Sequence, residues 1–257
     1  MENMFLNCLS IKNINFSSFF ICKQQSTLVL NMQITFKNCK NLTKVEFSFL
    51  DLSDSFDFTE TFSGCVSLIS INLEQYAFTK TYYMDKMFYG CTNLEEIYLP
   101  FNMPYLIHAK NIFEGCMKLK RIDLFNLRNS HSLMDISAMF KNCSSLKEIK
   151  FGSPEFQTRY LINMNEMFYG CNNLISIDFE YFNTDRLKNI ERMFYDCSSL
   201  EFLNIQSFVI QQNISYKDIF TGIPLHSVNI KFDSEKLFDD LKIEIDDIVN
   251  ISATTVL

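Results

Sequence analysis

Met87-Phe88-Tyr89-Gly90-Cys91-Thr92-Asn93-Leu94-Glu95-Glu96-Ile97-Tyr98-Leu99 is the stretch that decides the fold, because its pattern returns along the whole chain. Copies begin near residues 4, 35, 61, 87, 112, 139, 167, 193 and 219, as in Thr61-Phe62-Ser63-Gly64-Cys65 and Met167-Phe168-Tyr169-Gly170-Cys171. With Cys22 set aside, the cysteines at 8, 39, 65, 91, 116, 143, 171 and 197 are separated by 31, 26, 26, 25, 27, 28 and 26 residues. The copy at 219 is worn, with Ile223 in the cysteine position. A fixed period of this size marks a solenoid, in which no repeat can bury its apolar face alone and each must stack on its neighbours.

Each repeat reads as three pieces. Met84, Met87 and Phe88, like Ile190, Met193 and Phe194, have i, i+3, i+4 spacing, which predicts a helix of one or two turns with an apolar stripe. The residue before each cysteine position is Asn7, Asn38, Gly64, Gly90, Gly115, Asn142, Gly170, Asp196 or Gly222. These types tolerate a left-handed backbone and predict a C-terminal cap. The Leu-x-x-Ile-x-Leu that follows, as in Leu119-Lys120-Arg121-Ile122-Asp123-Leu124, alternates with the period of a strand. The expected fold is therefore an α/β repeat. It is a right-handed leucine-rich-repeat solenoid of about nine coils, with one parallel sheet and short helical turns on the opposite side. The solenoid spans residues 1–230, and residues 231–257 form an acidic C-terminal cap or tail.

Composition narrows the function. Twenty-three Lys and Arg against 30 Asp and Glu leave a net charge of -7, a poor basis for counterion-releasing contact with nucleic acid. Hydrophobic residues at 47% exclude disorder over most of the length. No apolar run reaches the roughly 18–20 residues of a spanning helix. His108, His131 and His226 stand apart from cysteine or carboxylate clusters, and no Cys-x-x-Cys, His-Glu-x-x-His, Gly-x-Ser-x-Gly or phosphate loop occurs. The expectation is a protein without catalytic residues, cofactor or metal. The cysteine ladder is expected to be a buried row of small side chains, because equivalent positions point in parallel and cannot converge into disulfides. Cys22 falls outside the ladder as a loop thiol. Phe5, Phe36, Phe62, Phe88, Phe113, Phe140, Phe168, Phe194 and Phe220 form one core column.

Phe182-Asn183-Thr184, Ile190 and Met193-Phe194-Tyr195-Asp196-Cys197-Ser198-Ser199-Leu200 together resemble a repeat of the BspA-type leucine-rich-repeat surface proteins. The resemblance runs from residue 4 to about 230. It implies a non-catalytic, cell-surface or secreted protein engaged in adhesion and in binding host or matrix proteins. The chain shows no basic leader or small-residue cleavage site near its start, which favours the alternative of an intracellular scaffold with the same fold.

A protein partner would meet the outward side of the strands. One outward column is Asn15, Glu46, Asn72, Tyr98, Asp123, Lys150, Asp178, Asn204 and Asn229. Its neighbour is Asn13, Lys44, Ser70, Glu96, Arg121, Glu148, Ser176, Phe202 and Ser227. These positions vary between repeats while the inward positions hold. Tyr98, Arg121 and Phe202 are the expected anchors, Tyr and Arg being frequent hot-spot residues. Glu96, Asp123, Glu148, Lys150 and Asp178 surround them.

Overall fold

The structure, a computed structural model, describes residues 1–16, 31–47, 51–100, 103–124, 130–151, 158–209, 213–224 and 227–231. Cys22, His226 and all but the first residue of the acidic 231–257 segment lie outside the described residues.

The repeats coil into a solenoid. Each contributes one three-residue strand: β1 (Asn13–Asn15), β2 (Lys44–Glu46), β3 (Ser70–Asn72), β4 (Glu96–Tyr98), β5 (Arg121–Asp123), β6 (Glu148–Lys150), β7 (Ser176–Asp178), β8 (Phe202–Asn204) and β9 (Asn229–Lys231). All registered pairs are parallel. In β3 to β7 the central Ile is buried and its two neighbours are exposed, as alternation requires. The single sheet expected from the sequence is instead a row of four hydrogen-bonded groups: β1–β2, β3–β4, β5–β6 and β7–β8–β9. Adjacent groups still touch. Strands of three residues offer few ladder bonds each, so a small change of twist or offset interrupts the ladder.

The continuous spine lies elsewhere, in the segment expected to be helical. Among the described residues there is no helix. The stretch before each cysteine is a chain of tight turns in which alternate amides take different partners. In the fourth repeat, the amides of Met87, Tyr89 and Cys91 donate to the carbonyls of Met84, Lys86 and Phe88, three residues back. The amides of Lys86, Phe88 and Gly90 donate along the axis to Lys110, Ile112 and Glu114 of the next coil. The same three axial bonds recur from the first repeat, where Asn3, Phe5 and Asn7 donate to Gln33, Thr35 and Lys37. They continue to the eighth, where Arg192, Phe194 and Asp196 donate to Lys217, Ile219 and Thr221.

Helix is prevented by a second left-handed residue five positions before the cysteine: Asn3, Ile34, Glu60, Lys86, Asn111, Ala138, Glu166, Arg192 and Asp218 all have φ between 49° and 57°. Such a conformation costs a non-glycine residue about 1–2 kcal/mol. From Asn3 to Arg192 the axial bond each of these amides makes to the next coil offsets that cost. The expected cap residues are left-handed as well, from Asn7 at 58° to Gly222 at 82°. The apolar stripe read as helical is still buried: Met84, Met87 and Phe88 are each at most 1% exposed.

Stacked phenylalanines fill the interior. Consecutive rings from Phe5 to Phe220 lie 5.2–6.1 Å apart and within 11° of parallel. Beside them runs the cysteine column. Cys39, Cys65, Cys91, Cys116, Cys143, Cys171 and Cys197 are free thiols without solvent exposure. Each Sγ donates to the carbonyl of the phenylalanine one coil earlier: Cys39 to Phe5, Cys65 to Phe36, Cys91 to Phe62, Cys116 to Phe88, Cys143 to Phe113, Cys171 to Phe140 and Cys197 to Phe168, at 3.0–3.3 Å. The same carbonyl accepts the amide of its own coil's cysteine, as Phe88 does from Cys91. Cysteine suits the place because it combines small apolar bulk with a weak donor. Burial pushes these thiols up, Cys91 to about 12.

Candidate functional site

The section of the solenoid has three sides, and both the turn side and the return side carry contacts that run from coil to coil. On the turn side, Lys37 pairs with Glu60 at 2.5 Å, and Lys141, Glu166, Arg192 and Asp218 form a chain of ion pairs across four coils. Tyr169 stacks on Tyr195 at 4.7 Å, with the Lys141 ammonium 5.0 Å from the Tyr169 centroid. Tyr169 and Tyr195 are thus packed along the coil edge. On the return side, a second parallel ladder joins Asp57, Tyr83, His108, Asp135, Asn163, Asn189 and Ser215 by successive single bridges.

The strand side carries the expected residues, and it divides in two. In the centre, Glu96 and Tyr98 on β4, Arg121 and Asp123 on β5, and Glu148 and Lys150 on β6 are all exposed, Tyr98 by 48%. Register sets Arg121 opposite Glu148 and Asp123 opposite Lys150, so opposite charges face one another across β5–β6. Glu148 and Lys150 also pair within their strand at 3.5 Å. The result is a checkerboard of charge beside one aromatic ring.

The outer part differs. Asp178 accepts from the amide of Glu180 and from Asn204 Nδ2, both at 2.9 Å, so it closes the turn after β7 and ties β7 to β8. Phe202 is half-buried, with the Lys231 ammonium 5.2 Å from its centroid. Asn204 is buried and holds the Gln206 amide. The two outward columns end differently from the expectation. Asn229 stands opposite Phe202 and Lys231 opposite Asn204, where Ser227 and Asn229 were expected. The expected columns were centred on Val228, five positions after Ile223 and one short of the regular spacing, and the worn repeat carries one residue more than that spacing, so the pairing falls two positions later. Ile230 lies seven positions after Ile223, whereas Leu203 lies six after Cys197, so Ile230 is the residue that points inward beside Leu203.

Two features were not singled out from the sequence. A groove of about 410 Å³ opens on the edge where the strands begin, lined by Lys120, Arg121, Ser145, Lys147, Glu148 and Asn173. Only Arg121 and Glu148 among these lie in the columns read from the sequence. The residue preceding each strand was the signal available, since Lys120 and Lys147 hold equivalent places in consecutive repeats. The other feature is an aromatic patch on the return side, where Tyr82 stacks on Tyr105 at 5.8 Å and Tyr83 meets His108 edge-on at 5.7 Å. Beneath it Asp85 sits between Lys110 and His108, at 3.7 and 3.8 Å. Burial raises its pKa against the pull of the Lys110 amide and ammonium. Among the described residues no group of three His, Cys, Asp or Glu side chains is placed to hold a metal ion, and no helix is long and apolar enough to cross a membrane.

The repeat motif, the parallel strands and the stacked leucine and phenylalanine rows define a leucine-rich-repeat solenoid. The chain belongs to the family described as Mycoplasma protein of unknown function, DUF285, whose model matches residues 1–125 and again 107–232. Solved structures with a related coil include a leucine-rich repeat protein from Bacteroides ovatus. It is 20% identical, with 98% of this chain and 80% of that one covered and a TM-score of 0.41. Another is a leucine rich cell surface protein from Faecalibacterium prausnitzii, 15% identical, covering 89% of this chain and 85% of that one with a TM-score of 0.29. A sequence comparison with curated proteins gives no match.

Proposed function

We propose that the protein is a non-catalytic binding module that holds a protein partner on the outward side of β4, β5 and β6, and that it works at the cell surface or after secretion as an adhesion protein. The observation that carries this reading is the contrast along the strand side. Asp178, Phe202 and Asn204 on β7 and β8 are engaged in turns and packing, whereas Glu96 and Tyr98 on β4, Arg121 on β5 and Glu148 and Lys150 on β6 present an exposed mixed surface on consecutive coils. Solenoids present such extended faces to partners. An exposed tyrosine among charges supplies an apolar anchor with a polar rim. The surface role is supported by the BspA-type motif.

The test is solid-phase binding of the full chain to fibronectin, fibrinogen, laminin and collagen, alongside protease shaving of intact source cells. Saturable binding to at least one of these, weakened about tenfold or more by Tyr98→Ala, is the expected result. Unchanged binding by Tyr98→Ala would refute the choice of face. Protection of the protein until the cells are lysed would refute the surface role and leave an internal scaffold.

A further inference from the structure

We propose that the groove at the start of β5 and β6 receives the carboxylate side chains of an extended, acidic polypeptide segment, an assignment that rests on the reading of the strand side as a protein-binding face. The chain as a whole is acidic, with a net charge of -7, yet the groove is lined by three cations, Lys120, Arg121 and Lys147, against one carboxylate, Glu148. That carboxylate is engaged by Lys150 at 3.5 Å. Lys120 reaches Glu95 at 3.4 Å. Arg121 and Lys147 have no ion-pair partner among the described residues, and both are exposed. On the turn side, by contrast, Lys37, Lys141 and Arg192 are held in ion pairs between coils. Two cations without an ion-pair partner among the described residues thus share one concavity.

The floor of the groove is tied from coil to coil by hydrogen bonds. The Lys147 amide donates to the Lys120 carbonyl at 2.9 Å, the Ser145 amide to Met117 at 3.2 Å, and Asn173 Nδ2 to the Ser144 carbonyl at 2.6 Å. Backbone and amide contacts thus hold the stems of the cationic side chains in successive coils. The guanidinium of Arg121 offers a planar fork to a carboxylate, and Lys147 adds a second point charge one coil further along.

The surroundings select the kind of anion. Glu148 lines the concavity, Glu95 pairs with its Lys120, and Glu96 and Asp123 stand on the adjoining strands β4 and β5. A polymer charged at every unit, such as a sulfated polysaccharide or a nucleic acid, would run its charges against these carboxylates. A polypeptide spaces its carboxylates and can set an apolar or basic side chain against Tyr98 or Glu96 in between. The checkerboard therefore favours an acidic stretch of protein.

The experiment is fluorescence anisotropy of the full chain with a fluorescein-labelled peptide of alternating glutamate and serine, at low and at physiological salt. A heparin fragment serves as the competing polyanion. The expected result is saturable peptide binding that weakens with salt and falls roughly tenfold or more in Arg121→Glu/Lys147→Glu. It should be unchanged in Lys44→Glu, which reverses an exposed cation on β2. The milder Arg121→Gln/Lys147→Gln should show the same direction, with an unchanged melting curve for every variant. Peptide binding that ignores both double substitutions overturns the proposal, as does a heparin fragment that binds more tightly than the peptide. The two readings fail separately. Loss of matrix-protein binding in Tyr98→Ala with an indifferent glutamate peptide retains the face and discards the anion site. Peptide binding that responds to charge reversal, with matrix binding untouched by Tyr98→Ala, does the opposite.

Discussion

Raising the pH from 8 to 9 should lower the stability of this fold by several kcal/mol, about 5, through its thiols rather than its surface. Seven cysteines, Cys39 to Cys197 in the column, are completely buried, and burial is the leading cause that raises each of them. The Cys91 thiol is pushed to about 12. An unfolded thiol titrates near 8.5. A group whose pKa is higher in the folded state stabilises the fold fully below its unfolded pKa and ceases to do so as the pH climbs toward the folded value. The loss is therefore on the alkaline side, because the unfolded chain sheds protons that the folded chain keeps. Between pH 8 and 9 each thiol withdraws about 0.7 kcal/mol, and seven together about 5 kcal/mol. That is a third or more of the stability of an ordinary domain, about 5–15 kcal/mol.

Urea unfolding in the presence of a reductant, followed by circular dichroism at pH 7, 8 and 9, measures the change. Proton release on unfolding at pH 9, followed with an indicator dye, should be about five per molecule. Cys116→Ala/Cys143→Ala should lower the starting stability and flatten the pH dependence in proportion to the thiols removed. A change below about 1 kcal/mol between pH 8 and 9 would mean that the column is ionised or solvated in the folded protein, and the burial argument would be wrong.

Phe140→Ala should cost about 3–5 kcal/mol in urea unfolding, since Phe140 is fully buried and stacked between Phe113 and Phe168. Phe5→Ala should cost clearly less, because Phe5 is only partly buried. The glycine caps should respond unequally to alanine. At Gly90, with φ of 67°, an added Cβ meets nothing within 4 Å, so only the left-handed backbone is penalised, by about 1 kcal/mol. At Gly170 the Cβ would lie 2.6 Å from Asn142 Oδ1, so Gly170→Ala should lose more stability, and Asn142→Gly/Gly170→Ala should recover the difference in thermal melts.

The sequence by itself determined the repeat, its period, the inward rows and the outward strand columns as far as the eighth repeat. Each of these depends on residue type recurring at a fixed offset, and stacking identical coils makes that recurrence a physical requirement. Phe140, Cys143 and Ile149 are buried where the motif places them, and Glu96, Tyr98, Arg121 and Glu148 are exposed. What the tertiary structure decided were the features that depend on neighbouring coils. The i, i+3, i+4 stripe at Met84, Met87 and Phe88 looks helical because both a helix and this turn chain bury such a stripe. Only the axial bonds from Lys86, Phe88 and Gly90 to the next coil select the turns. The second left-handed position left no trace in composition, since Ile34, Ala138, Lys86 and Arg192 all occupy it; the conformation is imposed by stacking and not by preference.

The candidate site shows the same division. Exposure of the strand residues followed from alternation, but the engagement of Asp178 and the covering of Phe202 came from Asn204 and Lys231 one coil away. The groove around Arg121 needed Lys147 and Asn173 from later coils. Periodicity says which way a side chain points, whereas its free or occupied state is settled by the coil stacked beside it.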